Sequence, residues 1–413
     1  MYSRNRVLAS TILILISVAA PVVSAGDWPQ WRGPKRDGHS ADSGLLTQWP
    51  AGGPPLLWKT NGIGRGYSSV AVANGKIFTL GDGPASSFVY ALDLKGAPLW
   101  MAKLGRVGGG GGYAGPRCTP AVSDGMVYGL GQFGDLLCVE ADTGKELWRK
   151  NLRKDFSGEV GGWGYSESPL VDGEKVLCTA GGMNGAIVAL DKKTGELIWR
   201  CKEFTDRAEY SSIIVEEVGG VRQYIQLTGG SVAGIGAKDG KLLWRARRRG
   251  QTATIPTPIY NDNHVYVSSG YGVGCNLFKI APGSEFSVEP VYNNTVMVNH
   301  HGGVILVGEH LYGYSDGKGW VCQEFKTGQM VWSDKKLDKG SISYADGHFY
   351  LRSEGGRGTV VLIEASPTAY KEKGRFNQPD RSGQNSWPHP VIAGGKLYLR
   401  DQDLLLCYDV QKQ

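Results

Sequence analysis

From residue 54 onward, short runs of apolar residues in near alternation with small or polar ones return along the chain, each bounded by a turn rich in Gly, Asp and Asn. In DLLCVEADTGKELWRK (135–150), two such runs flank Asp142-Thr143-Gly144. There the Asp side chain can bond nearby backbone N–H groups and the Gly takes positive φ at little cost, so the stretch predicts a hairpin. Upstream, TPAVSDGMVYGLGQ (119–132) has the same grammar, a short run, a turn at Ser123-Asp124-Gly125 and a second strand over Met126 to Leu130. Four strands make one unit.

The unit repeats. Its inner turn and second strand recur at VANGKIFTLGDG (72–83), VDGEKVLCTAGG (171–182), NDNHVYVSSGYG (261–272), VGEHLYGYSDGKG (307–319), ADGHFYLRSEGG (345–356) and AGGKLYLRDQD (393–403), with a diverged copy at VGGVRQYIQLTGGS (218–231). With Met126 to Leu130 that makes eight. The outer strand carries a ladder of tryptophans, Trp58, Trp100, Trp148, Trp199 and Trp244, spaced 42 to 51 residues apart, followed by Trp332 two periods on. The skipped unit has lost its Trp near FSVEPVY (286–292). A period of 40 to 50 residues built from four strands predicts an all-β, eight-bladed propeller of four-stranded antiparallel blades, because one blade cannot bury both faces and stacking in a ring supplies the core.

Closure is also legible. The last copy, AGGKLYLRDQDLLLCYDVQKQ, has three strands, while PPLLWKT (54–60) reads as a fourth strand lacking its first three. Leu56 to Lys59 is therefore expected to complete the final blade, a latch that leaves no open seam. The domain plan is a single propeller over 54–413, preceded by an arm over 26–53. In that arm DWPQWRGPKRDG (27–38) packs two Trp and two Pro into a dozen residues, which predicts a fixed segment lying on the propeller.

Residues 1–25 read as a secretory signal peptide, with Arg4 and Arg6, an apolar run from Val7 to Ala20 and small residues at Val23-Ser24-Ala25. Cleavage near Ala25 and a periplasmic or secreted location are expected. No Cys precedes Cys118, so no lipid anchor is expected at the cleavage point. The net charge of +6 is modest and RARRRG (245–250) is the one dense basic run, which excludes a nucleic-acid binder. Cys138, Cys322 and Cys407 share one third-strand position, where Cys acts as a small hydrophobe; a bridge, if present, would involve Cys118 or Cys201. Without CxxC or HExxH no zinc site is expected.

Candidate chemistry sits where segments enter the innermost strands, at one face of the central channel. Aligned on Thr119, these positions read Ser68, Thr119, Ser168, Ser211, Thr257, Gly302, Ser341 and His389. Six hydroxyls there fit a structural role, satisfying backbone where strands crowd. Just outside, the residues vary from blade to blade: Tyr67, Arg117, Trp163, Tyr165, Glu167, Tyr210, His301, Arg381 and Trp387. With His389 they form the candidate ligand or partner mouth, since aromatics supply contact area and Arg directed donors. VGGGGGYAGPRC (107–118) lacks a P-loop ending and opens no helix, so it reads as a flexible interblade loop. His264, His310 and His348 fall at equivalent turns and read as surface strand residues.

The A-x-D-x-x-T-G-x-x-x-W phrase, as in ALDKKTGELIW (189–199), resembles the blade signature of the pyrroloquinoline-quinone-like eight-bladed propellers, over residues 54–413. The WPQWRGP arm is similar to the start of many exported bacterial members. The resemblance implies two branches. In quinoprotein dehydrogenases a quinone lies over a channel Trp, calcium polarises it and an Asp is the base. This chain lacks their adjacent cysteines and offers only Glu167 as a calcium-ligand candidate. The noncatalytic branch of outer-membrane-assembly propellers fits better. The expectation is a monomeric, noncatalytic envelope scaffold without cofactor that binds a protein; a quinone-dependent alcohol or sugar dehydrogenase and a glycan-binding propeller are the alternatives.

Overall fold

The computed structural model describes residues 26–412, so the signal-peptide reading of 1–25 lies outside the described residues. Eight four-stranded antiparallel sheets occupy 71–105, 121–151, 170–200, 214–247, 259–294, 304–334, 340–377, and 391–409 with 56–60. We number these blades one to eight. The predicted latch is present: Leu56–Thr60 pairs antiparallel with Leu404–Asp409 as the outermost strand of blade eight. Among the described residues the one α-helix is a single turn, Leu152–Phe156, capped by the Asn151 side chain.

The repeated phrase has a mechanical meaning that appears only when blades are stacked. The Trp of one blade lies on the Thr-Gly turn of the next, where a glycine at positive φ offers bare backbone. A Cβ on Gly96 would lie 2.7 Å from Trp58, one on Gly144 2.6 Å from Trp100, and one on Gly195 2.7 Å from Trp148. The indole N–H then donates to a carbonyl of that same turn, Trp58 to Leu94 at 3.0 Å, Trp100 to Ala141 at 3.1 Å and Trp148 to Lys192 at 2.9 Å. In blade five Tyr292 takes the lost Trp's place, packing on Gly328 and donating to the Phe325 carbonyl at 2.9 Å. Blade seven has Gly374 at this register, opposite Leu362. There the arm supplies the ring: Trp49 donates its backbone N–H to Lys373 and packs against Tyr350 and Phe376 at 5.8 and 5.4 Å.

The arm does more than lie on the surface. Trp28, 1% exposed, exchanges two backbone hydrogen bonds with Val72 of blade one. Arg36 donates to the Ser168 and Pro169 carbonyls of blade three, and Arg32 to the Val304 carbonyl of blade six. Gly38 and Ser40 bond Tyr344 of blade seven. Contacts on opposite sides of the ring mean that the arm crosses the channel and fills it. Both guanidiniums are fully buried, and burial lowers each to about 10.

The hydroxyl ring lies buried and laces blade to blade. Thr119 N–H donates to Ser168 Oγ at 2.9 Å, Ser168 N–H to Ser212 Oγ at 3.0 Å, Ser211 Oγ to the Pro256 carbonyl at 2.9 Å and Ser69 Oγ to the His389 carbonyl at 3.0 Å. All seven cysteines are buried and unpaired. Two expectations need correction. His348 is 9% exposed, covered within the core-facing sheet rather than on the surface. The glycine-rich loop is packed at the channel mouth, with Gly110 and Gly111 against Gly162 and Trp163.

The Trp-on-Gly contact makes a clean test. Gly144 and Gly125 both have positive φ (73° and 74°), yet a Cβ meets Trp100 at Gly144 and nothing within 4 Å at Gly125. Gly144→Ala should therefore destabilise by about 1–3 kcal/mol more than Gly125→Ala in denaturant melts, because only it displaces the indole.

Candidate functional site

The two ends of the ring differ. The turns between the third and fourth strands, with Asp93, Asp142, Asp191 and Asp239, lie at one end. At the other, the chain leaves each outermost strand and enters the next blade. Exposed side chains of both signs follow those strands, Arg106, Lys154, Lys202, Arg249 and Lys336 among the cations and Asp155, Glu159, Glu203 and Asp338 among the anions. At the centre of this end a cavity of about 170 Å³ opens at the channel mouth.

Six of the ten predicted mouth residues line it: Tyr67, Arg117, Trp163, Tyr210, His301 and Trp387. Tyr67 stacks on Trp387 at 4.5 Å, and Trp163 meets Tyr210 edge-on at 6.0 Å. Arg117 donates to the Trp163 and Tyr113 carbonyls at 3.0 and 2.6 Å, which fixes its guanidinium among the rings; burial lowers its pKa. His301 Nε2 lies 2.6 Å from Glu354 Oε2, which also accepts from the Trp387 indole at 2.8 Å. Burial alone would raise the Glu354 carboxyl, but His301, Lys339 and Trp387 outweigh it and hold it below the usual carboxylate range. Burial, reinforced by His301 and Lys339, lowers neighbouring His300 to about 3, so its ring is neutral.

The other four predicted residues lie elsewhere, for identifiable reasons. Successive side chains of an extended segment point to opposite sides. Ser166 and Ser168 face the cavity, so Tyr165 and Glu167 turn away from it. Tyr165 is wholly buried and donates to the Ala180 carbonyl at 2.9 Å. Glu167 accepts from Thr179 N–H and from Gln226 Nε2 at 3.3 Å. Arg381 folds back on its own loop, bonding Ser386 Oγ and the Gln384 carbonyl at 2.8 and 2.9 Å. His389 sits beneath the cavity, its Nε2 3.0 Å from the His301 carbonyl and its ring 4.6 Å from Trp31.

Sequence reasoning missed the floor and part of the rim. Trp31, from the arm, lines the cavity with its indole N–H on Thr257 Oγ1 at 2.9 Å. Tyr113, from the glycine-rich loop, and Tyr271 and His300 complete the wall. A larger, more open cavity of about 410 Å³ lies over Asp206, Arg207 and Glu209. Its polar groups are already engaged: Asp206 accepts from Thr228, Ser231 and Arg245.

With the geometry in place, comparison with known proteins is informative. The family model described as outer membrane protein assembly factor BamB matches residues 85–334. The chain belongs to this family. A BamB of Shewanella oneidensis is 20% identical over 73% of the chain and 85% of that protein. The 1-butanol dehydrogenase (quinone) of Thauera butanivorans is 32% identical over 26% of the chain, but the match spans only 16% of the dehydrogenase. Among solved structures, BamB from Moraxella catarrhalis superposes with a TM-score of 0.61 at 13% identity, covering 87% of the chain and 98% of that structure, a likeness of fold alone. The BamB-family ring is thus shared, whereas the channel-filling arm and the aromatic cavity are read from this chain's own residues.

Behind the cavity, burial pushes the Glu167 carboxyl up to about 7, against the opposing bonds from Thr179 and Gln226 and the charge of Arg36. A carboxyl whose folded pKa exceeds its unfolded value binds protons more tightly when folded. Its ionisation therefore costs stability progressively between about pH 4.5 and 7. Glu167→Gln removes that titration, so its melting temperature relative to wild type should rise across this window, by the equivalent of at most about 3 kcal/mol. A constant offset from pH 4 to 8 would show that folding does not raise the Glu167 pKa.

Proposed function

We propose that the chain is a noncatalytic propeller of the cell envelope that acts as a binding or assembly scaffold, engaging an envelope protein through the aromatic mouth. The observation that carries this reading is the asymmetry of the channel. The arm fills it from within, and an aromatic cavity that includes Arg117 opens at one end of it. Rings and Arg at the centre with charge at the rim are what a protein-recognition patch needs. Family membership supports an outer-membrane assembly role, and export would place the ring on the side of the membrane where such a partner is available. No helix among the described residues is long and apolar enough to cross a membrane.

The quinone-dependent reading is tested against the donor set. A calcium-held quinone needs converging carboxylate and amide oxygens beside a flat ring site. The cavity lining contains no carboxylate, and the Glu167 oxygens face Thr179 and Gln226. These residues do not fit that cofactor, and we derive no reaction through it.

The test has two arms. Immobilised Arg117→Ala and Trp163→Ala proteins should retain their fold by circular dichroism but lose an envelope protein that wild type captures and that elutes with salt. Titration with pyrroloquinoline quinone and calcium should leave the melting curve unchanged. A ligand at a hundredfold over its Kd would stabilise by about 2.7 kcal/mol. Such a shift, with dye-linked alcohol oxidation, would overturn the noncatalytic reading.

A further inference from the structure

One charge in the cavity lining lacks a counter-ion. Arg117 is held there by backbone: Nη1 donates to the Trp163 and Gly115 carbonyls at 3.0 and 3.5 Å, and Nη2 to the Tyr113 carbonyl at 2.6 Å. Carbonyl oxygens orient a guanidinium without neutralising it. Among the described residues no carboxylate forms an ion pair with Arg117. The lining contains none, and Asp82, whose charge reaches it from farther off, is engaged by Ser87 Oγ and by Gly108 N–H at 2.8 Å. Glu354 is matched by His301 and the Trp387 indole. A half-buried cation with no anion beside it is unusual, because desolvation is ordinarily offset by a paired charge. The Arg117 Nε–H also has no partner in the protein, and unlike Nε of Arg32, Arg36, Arg352 and Arg381 it is open to solvent.

Nε–H and the Nη2 hydrogen left over from Tyr113 are therefore available to an incoming anion. His300 supplies a second open donor to the lining. Its Nδ1 lies 3.0 Å from Lys339 Nζ, an ammonium that can only donate, so the neutral ring carries its proton on Nε2. That nitrogen is open to solvent and has no partner in the protein. One guanidinium matches one carboxylate, whereas phosphate sites gather several cations or the N–H groups of a helix start. The remaining surface is aromatic, with Trp31, Tyr67 and Trp387. A partner's Phe or Leu side chain alone would cover the guanidinium without neutralising it; a bare anion would neutralise it and leave the rings wet. We infer that the cavity binds a single carboxylate carried on a one-ring aromatic body, the carboxylate on Arg117 and the ring against the indole and phenol faces. The volume of about 170 Å³ suits one ring, since a cavity of about 150 Å³ holds one benzene. A fused tricyclic tricarboxylate such as pyrroloquinoline quinone exceeds the site in both rings and charge.

This inference rests on the reading of the mouth as the recognition face and names the chemistry at its centre. Two sources share that chemistry, a free aromatic acid and the C-terminal residue of a partner chain. The test is calorimetric titration of the 26–413 chain with 3-phenylpropionate and N-acetyl-L-phenylalanine, each beside its own amide, and with acetate. At least one of the two aromatic acids should bind about tenfold or more tightly than its amide and than acetate. Arg117→Met should erase that preference, and Arg117→Lys should restore only part of it, because an ammonium lacks the planar fork. Independently of any variant and its folding, added salt should weaken the acid and leave the amide unchanged. Tighter binding of N-acetyl-L-phenylalanine assigns the site to a chain end, and tighter binding of 3-phenylpropionate to a free acid. Equal affinity for acid and amide, acetate as tight as either acid, a preference that survives Arg117→Met, or no binding at all would overturn the proposal. If no acid binds while Arg117→Ala still loses the captured protein, only the carboxylate site fails. If an acid binds but capture ignores the mouth variants, the scaffold reading fails and the carboxylate site stands.

Discussion

An indole laid on the bare backbone of a neighbouring turn joins one blade to the next, and the rest of the molecule depends on that contact. Its three parts are covalently close: an Asp that organises the turn, a Gly that keeps the surface open, and a Trp a few residues on that reaches the following blade. Blades one to four each receive an indole in this way and blade six receives Tyr292, whereas Trp244 of blade four donates to Gln223 of its own sheet. Small departures in angle accumulate around a ring, so a repeated contact of fixed geometry is what lets eight units close without a gap. Where the ring residue changes, the contact is kept by other means, by Tyr292 in blade five and by Trp49 of the arm beside blade seven.

The arm ties this ring to the site. Its buried guanidiniums hold carbonyls on blades three and six, so the channel is occupied by the chain itself, and the next ring along, Trp31, becomes the floor of the mouth. The aromatic cavity is thereby set at one end of the filled channel. The lacing beneath the mouth is scaffolding, because the Ser168 and Ser211 hydroxyls are spent on the backbone of neighbouring blades. The chemistry left over belongs to the variable aromatic positions outside them.

How much of this was legible follows from the range of each interaction. The blades, their number and the Leu56–Thr60 latch could be read because turn, Gly and Trp lie within one short phrase and repeat at a fixed period. Tyr67, Arg117, Trp163, Tyr210, His301 and Trp387 could be placed near one another because they hold like positions before innermost strands. Tyr165 and Glu167 were misplaced by the pleat: pairs two apart, 166 and 168, 210 and 212, 253 and 255, share the cavity side, while 165 and 167 face away. That alternation was the available signal for Ser166. Trp31, Trp49 and Tyr113 carried no such signal, since their partners lie more than 200 residues away or across a glycine-rich loop whose path local preference does not fix.

The most direct measurement is site-specific photo-crosslinking in cells that export the chain. A benzoylphenylalanine would be placed at Lys154 or Arg249 on the mouth rim, and at Asp142 or Asp239 on the opposite end. The account predicts an envelope protein crosslinked from the rim positions and none from the turn positions. Crosslinks confined to the turn end would contradict it, because they would put recognition on the face that the sequence repeats rather than on the face where it varies.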